Sequence, residues 1–200
     1  AKAKSMLGFH GTSEEELLEE LPSQAAQMQY LQNHAGFPVY TDSQTLYLSP
    51  GEKKFDCLLQ ELKKAQRYIF LEYFIIQEGY MWNSILEILK DKAAQGVKVR
   101  VLYDDIGCFL KLPQDYDSQL RSMGIDCRVF NRFKPVLTSM QNNRDHRKIA
   151  VIDGKVAFTG GINLADEYIN AIERFGHWKD ASVMVSGKAA WSFTLMFLQM

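Results

Sequence analysis

An α/β fold, with a mixed, mainly parallel β-sheet flanked by helices on both faces, is what this sequence predicts, and three observations carry it. Strand-like and helix-like segments alternate three times between Ser49 and Phe130, the pattern of strands joined by helical crossovers. The run Ile149-Ala150-Val151-Ile152 is apolar at every position, which suits a central strand covered on both sides. The chain of 200 residues, 46% hydrophobic and 24% charged, can bury one substantial core and fits one domain better than two.

Residues 1–36 are rich in Gln and Glu with scattered leucines, and read as an N-terminal arm or peripheral helices; the domain proper is residues 37–200. Phe37 to Tyr40 and Thr45 to Leu48 are short β-prone runs around Asp42-Ser43-Gln44, a hairpin pattern. Ser49-Pro50-Gly51-Glu52 has the spacing of a helix start, with Ser as N-cap, Pro at N1 and Glu at N3. Leu58, Leu59 and Leu62 give that helix its apolar face, to about Gln66. Arg67 to Ile76 is a strand and Glu78-Gly79 a turn. Met81 to Gln95 is a helix with Ile85, Leu86, Ile88 and Leu89 inward, closed by Gly96. Val97 to Tyr103, Gln114 to Met123 and Ile125 to Phe130 follow as strand, helix and strand. A loop with Pro135 leads to the apolar strand at Ile149. Asp153-Gly154 has the composition of a two-residue hairpin turn, with Lys155 to Thr159 returning. Trp178 to Val185 is another strand. Trp191 to Leu198 is an apolar helix that the sequence leaves partway, so the domain reads as cut short at its C-terminus.

Charge and cysteine content narrow the function classes. The formal net charge is −1, so no global field attracts nucleic acid, and none is expected as a partner. Charge is uneven locally: residues 14–20 carry five glutamates, while Arg128 to Lys148 holds six Arg or Lys against Asp145 alone. Such a segment is commonly a solvated loop, but here it leads into the chemical motif and favours an anionic substrate. Cys57, Cys108 and Cys127 are odd in number, lack metal or redox spacing, and suit a reducing compartment. No apolar run reaches the length of a membrane span.

The chemistry concentrates between Arg144 and Asp180. Alternate side chains of a strand share a face, so Arg144, His146 and Lys148 project together, away from Asp145 and Arg147, at the polar beginning of the buried strand. A phosphodiester needs a nucleophile or proton donor, a cation on its oxygens, and directional hydrogen bonds. Neutral His146 can attack phosphorus, Lys148 supplies positive charge, and Asn163 supplies amide donors. Gly160-Gly161 allows close approach of a ligand. Asn163 and Asp166 have helix-start spacing, with Asn as N-cap and Asp at N3. A carboxylate on the other nitrogen of His146 would fix its tautomer, and Asp180, at the head of a neighbouring apolar strand, suits that job. Asp153 lies in a tight turn, which gives it a fold role before a chemical one.

His146-x-Lys148-x4-Asp153 followed by Gly160-Gly161-x-Asn163 resembles the signature of the phospholipase D superfamily. The flanks Asn143 to Ile149, Phe158 to Tyr168, Arg174 to Asp180 and Leu71 to Ile75 resemble bacterial cardiolipin synthases most, from about residue 37 onward. The resemblance implies a phospholipase D-like α/β domain and two-step transfer through a phosphohistidine, with no metal or other cofactor. On it, His146, Lys148, Asp153, Asn163 and Asp180 form the catalytic set, and Arg144, Gly160, Gly161 and Glu72 line the substrate. It also implies phosphatidylglycerol or another anionic phospholipid as substrate, and a site on the cytoplasmic side of a cell membrane. A second His-x-Lys-x4-Asp half is required, in cis or from another chain, because His10 and His34 lack a lysine two residues on and His177-Trp178-Lys179 lacks an aspartate five residues after its lysine. The alternatives are a homodimeric nuclease or phosphodiesterase of the same superfamily and an inactive domain that binds anionic headgroups.

Other polar residues weigh less. Glu72 interrupts an apolar strand and needs a polar partner or a pocket. Asp104-Asp105 ends a strand, where turns commonly hold Asp and adjacent carboxylates point apart, against a metal pair. His177 beside Trp178 reads as packing or surface.

Overall fold

The computed structural model describes residues 19, 22–133 and 142–200. Most of the N-terminal arm and the Pro135 loop lie outside the described residues. Of the arm, helix α1 (Ala25–Tyr30) runs into a π-helical turn, Leu31–Ala35, closed by Gly36 in the left-handed conformation.

Seven strands make one sheet: β1 (Ser43–Leu48), β2 (Tyr68–Tyr73), β3 (Lys98–Asp104), β4 (Asp126–Phe130), β5 (Lys148–Ile152), β6 (Val156–Gly160) and β7 (Ser182–Gly187), in the order β1-β7-β6-β5-β2-β3-β4. The α/β class and the mixed sheet are as the sequence predicts. The expected parallel majority is not: β2–β3 and β3–β4 are parallel, and the other four neighbouring pairs are antiparallel. Only the first three strand–helix alternations make parallel pairs. After β4, β5 enters beside β2 from the opposite direction, and β6 and β7 meander from it.

The expected hairpin at residues 37–48 does not form either. Ser43–Leu48 pairs with β7, and Phe37 to Tyr40 lies outside any strand. Local β propensity identified a strand but not its partner far along the chain. The helix start is also shifted. Helix α2 (Gly51–Lys64) has Pro50 as its N-cap and no side-chain cap. The Ser49 hydroxyl instead donates to the backbone carbonyl of Asp180 at 3.0 Å, tying α2 to the start of β7.

Helices α3 (Tyr80–Ala94), α4 (Asp105–Cys108) and α5 (Tyr116–Ser122) pack with α2 on one face of the sheet. There Leu58, Leu62, Met81, Trp82, Ile85, Leu89 and Leu120 meet Ile69, Leu71, Val99, Val101 and Ala150. On the other face, helix α6 (Ala190–Leu198) covers Phe70, Ile149, Val151 and Ala157 with Ala190 and Phe197. Thus β5 is buried on both sides, because apolar residues at every position match two cores.

Asp153 fixes one end of β5. Its carboxylate accepts from the backbone N–H groups of Gln66, Arg67 and Tyr68 at 2.9, 2.7 and 2.9 Å. The turn places Asp153 and Gly154 at φ 56° and 68°, the two left-handed positions of a tight hairpin. Asp153 therefore locks the entry to β2. It is seven residues from His146, roughly 23 Å at a strand's rise of about 3.3 Å per residue. Replacing Asp153 with Ala should lower unfolding free energy by about 1–3 kcal/mol, read by urea denaturation. Sulfate binding at the opposite end of the strand should be unchanged.

Candidate active site

The antiparallel register sets Lys148 opposite Tyr73, the last residue of β2. The start of β5 therefore lies at the carboxyl end of the parallel strands β2 and β3, where open α/β sheets commonly hold ligands. His146, two residues before Lys148, is exposed there. Its ring rests against Phe74 at 4.7 Å between centroids.

Lys148 is the buried cation of this edge. Its ammonium donates to the His146 carbonyl at 2.7 Å and lies 5.3 Å from the Phe74 ring centroid. Burial pushes it down to about 8, against the opposing pull of Asp145 and Asp180. A lysine so placed is charged near neutral pH and still short of carboxylate partners, which suits an anion arriving from solvent.

Asn163 reaches the same edge, though not as a helix cap. Its Oδ1 accepts from Ile75 N–H at 3.0 Å and its Nδ2 donates to the Tyr168 hydroxyl at 2.9 Å. One Nδ2 hydrogen suffices for Tyr168, which leaves the amide a second donor. The short 3-10 helix Asp166–Ile169 takes Ala165 as its N-cap. Asp166, expected at N3 of a helix, caps α3 instead by accepting from Tyr80 and Met81 N–H at 2.9 and 2.8 Å. Spacing alone could not separate a cap for the following helix from one for a helix earlier in the chain.

Asp180 sits against the glycine pair. A side chain at Gly161 would collide with its carboxylate, and one at Gly160 with the backbone of Ala181 and Ser182. These glycines therefore admit the head of β7 beside β6. Asp180 accepts from Ala181 N–H at 2.7 Å and from the Trp178 indole at 3.4 Å. Among the described residues no hydrogen bond joins it to the His146 ring. Its charge instead supports Lys148 and a second lysine, Lys54.

Two expected substrate contacts face elsewhere. Arg144 donates to Asp104 Oδ1 at 3.3 Å and to the Asn131 carbonyl at 3.0 Å, so its guanidinium braces the approach to β5. Regular strand begins only at Lys148, and alternation does not extend back to Arg144. Glu72 points to the α6 side of the sheet with Phe70, whereas Lys148 shares the opposite face with Ala150. There Glu72 lies 2.6 Å from Arg147 Nε. Both carboxylate oxygens of Asp104 take fold contacts, from Gly107 N–H and Arg144 on one and Asp145 N–H on the other. Asp105 accepts from Phe133 N–H at 2.6 Å, and His177 is exposed.

The sequence reading missed Lys54, Tyr73, Tyr168 and Trp178. Lys54 is 1% exposed and donates to the Tyr73 hydroxyl at 3.1 Å, 4.9 Å from its ring centroid. Burial pushes it down to about 7, against Asp180. A signal was present: Lys54 stands one helical turn before Leu58, on the buried side of α2. Tyr168 packs edge-on against Trp178 at 5.3 Å, linking the supports of Asn163 and Asp180.

Residues 58–174 match the family described as cardiolipin synthase, PLD-like domain. The chain belongs to this family. It is 42% identical over 163 residues to a cardiolipin synthase of Geobacillus thermodenitrificans, a match covering 81% of this chain and 32% of that protein. An uncharacterised Streptococcus mutans protein is 54% identical over 172 residues, 86% of this chain and 37% of that one. The chain thus spans about a third of the length of these relatives. Among solved structures, NucT from Helicobacter pylori superposes with a TM-score of 0.60 at 14% identity, covering 80% of this chain and 96% of that one. Nuc from Salmonella typhimurium, a phospholipase D family member, gives 0.57 at 16%, covering 79% and 93%. At such identities the likeness concerns the fold.

Two outcomes follow for the lysines. Lys54 is held near 7 in the folded chain, against its ordinary 10.5, so between those values the unfolded chain carries the extra proton and stability rises with pH. Lys54→Met should therefore raise stability at pH 7 by about 1–4 kcal/mol and remove that slope in denaturant titrations. Lys148 loses its charge as pH rises through about 8. Affinity for sulfate, whose own charge is constant there, should then fall about tenfold, and Lys148→Met should flatten the profile in calorimetric titration.

Proposed function

We propose that this chain supplies one histidine–lysine half of a phosphatidyl-transfer site that joins two phosphatidylglycerol molecules into cardiolipin and glycerol. The observation that carries the reading is the exposed His146 imidazole beside the buried, carboxylate-poor Lys148 ammonium, with Asn163 at the same sheet edge. The cardiolipin synthases among its relatives point to the lipid substrate.

In the first step one histidine attacks phosphorus, the P–N bond forms and the P–O bond to the departing glycerol breaks. The histidine of the other half donates the proton that glycerol carries away. In the second step the hydroxyl of another phosphatidylglycerol attacks the phosphohistidine, a P–O bond forms as the P–N bond breaks, and the hydroxyl proton returns to that other histidine. Either histidine role suits His146. Lys148 neutralises the phosphoryl oxygens, and the spare Asn163 N–H holds one of them. The Asp180 charge favours the cationic lysines and the imidazolium as it forms. Arg144, Gly160 and Gly161 contribute by shaping this edge.

The second half lies elsewhere in a longer polypeptide or on another chain, and the site works at a membrane surface on its cytoplasmic side. No helix among the described residues is long and apolar enough to cross a membrane. A second reading, a homodimeric phosphodiesterase, draws on Nuc and NucT, whose chains are matched almost end to end. The near-neutral charge of this chain argues against a nucleic-acid substrate for such a dimer.

The chain alone should convert little or no phosphatidylglycerol. Mixed with the complementary half it should form cardiolipin, and His146→Ala in that mixture should cost about a thousandfold or more, measured by mass spectrometry of the lipid product. DNA cleavage with phosphatidylglycerol left untouched would instead establish the phosphodiesterase.

A further inference from the structure

Behind the candidate site, on the α6 side of the sheet, two carboxyl groups are buried together. Glu72 is wholly buried and Asp145, the residue before His146, nearly so. Among the described residues one cation serves both: Arg147 Nε lies 2.6 Å from Glu72 Oε1 and 3.3 Å from Asp145 Oδ1. Its N–H is directed at Asp145, so among the described residues neither oxygen of Glu72 accepts a well-aligned hydrogen bond, and Asp145 Oδ2 has no partner either. Three donorless carboxyl oxygens in one buried place require an explanation. Two buried carboxylates this close cannot both stay ionised beside a single, partly exposed guanidinium.

One proton resolves both difficulties. On Glu72 and donated to Asp145, it joins the two groups and leaves one carboxylate to balance one guanidinium. Burial first, then the charge of Asp145 and a hydrogen bond to it, push Glu72 up to about 8, against the pull of Arg147. Arg144 and Asp104 lie alongside, Arg100 stacks further down over Phe70, and α6 brings no titratable group to this face.

We propose that Glu72 is a positioning residue that, as the neutral acid, donates a hydrogen bond to Asp145 and so fixes the turn presenting His146. Asp145 connects the pair to that turn. Its Oδ1 accepts from Arg147 N–H at 3.2 Å, closing the backbone around His146, while its own N–H is held by Asp104 Oδ2 at 3.0 Å. Its charge also supports the Lys148 cation. Glu72 touches no substrate: it lies on the opposite face from Lys148. The proposal deepens the reading of His146 as the reacting group and rests on it.

The test uses the chain itself, with Glu72→Gln, whose amide can donate to Asp145 as the acid does, and Glu72→Leu, which cannot. Carbon-13 NMR should find the Glu72 carboxyl titrating near pH 8. Hydrogen exchange at the Arg147 amide, corrected for intrinsic rate, should stay slow in wild type below that pH and lose about tenfold protection above it. Glu72→Gln should keep the protection across the range, whereas Glu72→Leu should lack it throughout. Lys148 titrates in the same region in every variant, so a loss it caused would persist in Glu72→Gln. A Glu72 carboxyl titrating in the ordinary acid range, or equal loss of protection in the Gln and Leu variants, would overturn the proposal. If Glu72→Leu does not fold, the Gln variant and the carboxyl titration still decide. Sulfate binding to wild type is a separate measurement: its failure would count against the phosphate-site reading and leave these outcomes legible.

Discussion

The antiparallel pairing of β5 with β2 governs where the polar groups of this protein fall. Tyr73 stands opposite Lys148 and Ile69 opposite Ile152, so each end of one buried ladder carries a different task. At one end Asp153 collects three backbone N–H groups and locks the strand entry. At the other, the ladder stops at Lys148, and the preceding residues leave the strand with His146 outward. A slip of one residue would turn Lys148 to the α6 side and bury Ile149 among polar groups. The apolar run between the ends makes that slip costly, because both faces of β5 already fill a core.

The sheet also separates two kinds of charge. On the α2 side, Lys54 and Lys148 are buried with hydroxyl, carbonyl and aromatic partners, and Asp180 is the acid whose field reaches both. On the α6 side, Glu72 and Asp145 are buried around Arg147. The first face is short of negative charge, which suits an incoming phosphate. The second is short of donors, which suits a shared proton. Burial raises the cost of any unpaired charge, so each imbalance persists only where the surrounding packing enforces it.

Much of this was legible in the sequence because it depends on local pattern. The inward leucines of α2, the glycine ends of α3 and α5, the Asp153-Gly154 turn and the double-sided apolar run each follow from short-range periodicity or backbone preference. The His-x-Lys and Gly-Gly-x-Asn pairs marked the site edge for the same reason, since strand geometry carries neighbours to a common place. The roles of Asp166, Ser49, Arg144 and Glu72 were not legible. Each side chain meets a partner remote in sequence, and nothing in its own neighbourhood names that partner. Lys54 was overlooked because a lysine on an amphipathic helix is ordinarily solvated, and only the packing of α2 over Tyr73 buries it.

The sequence by itself determined the class of fold, the family, the residue types gathered at the candidate site and the structural character of Asp153. Tertiary structure alone decided that most strand pairs are antiparallel, that Glu72 faces away from Lys148, and that the glycine pair makes room for Asp180. The division has one physical cause. Periodicity and turn chemistry act over a few residues and can be read along the chain, whereas pairing order, the side of the sheet and the burial of charge arise from contacts between distant segments. Those contacts exist only once the sheet has closed around β5.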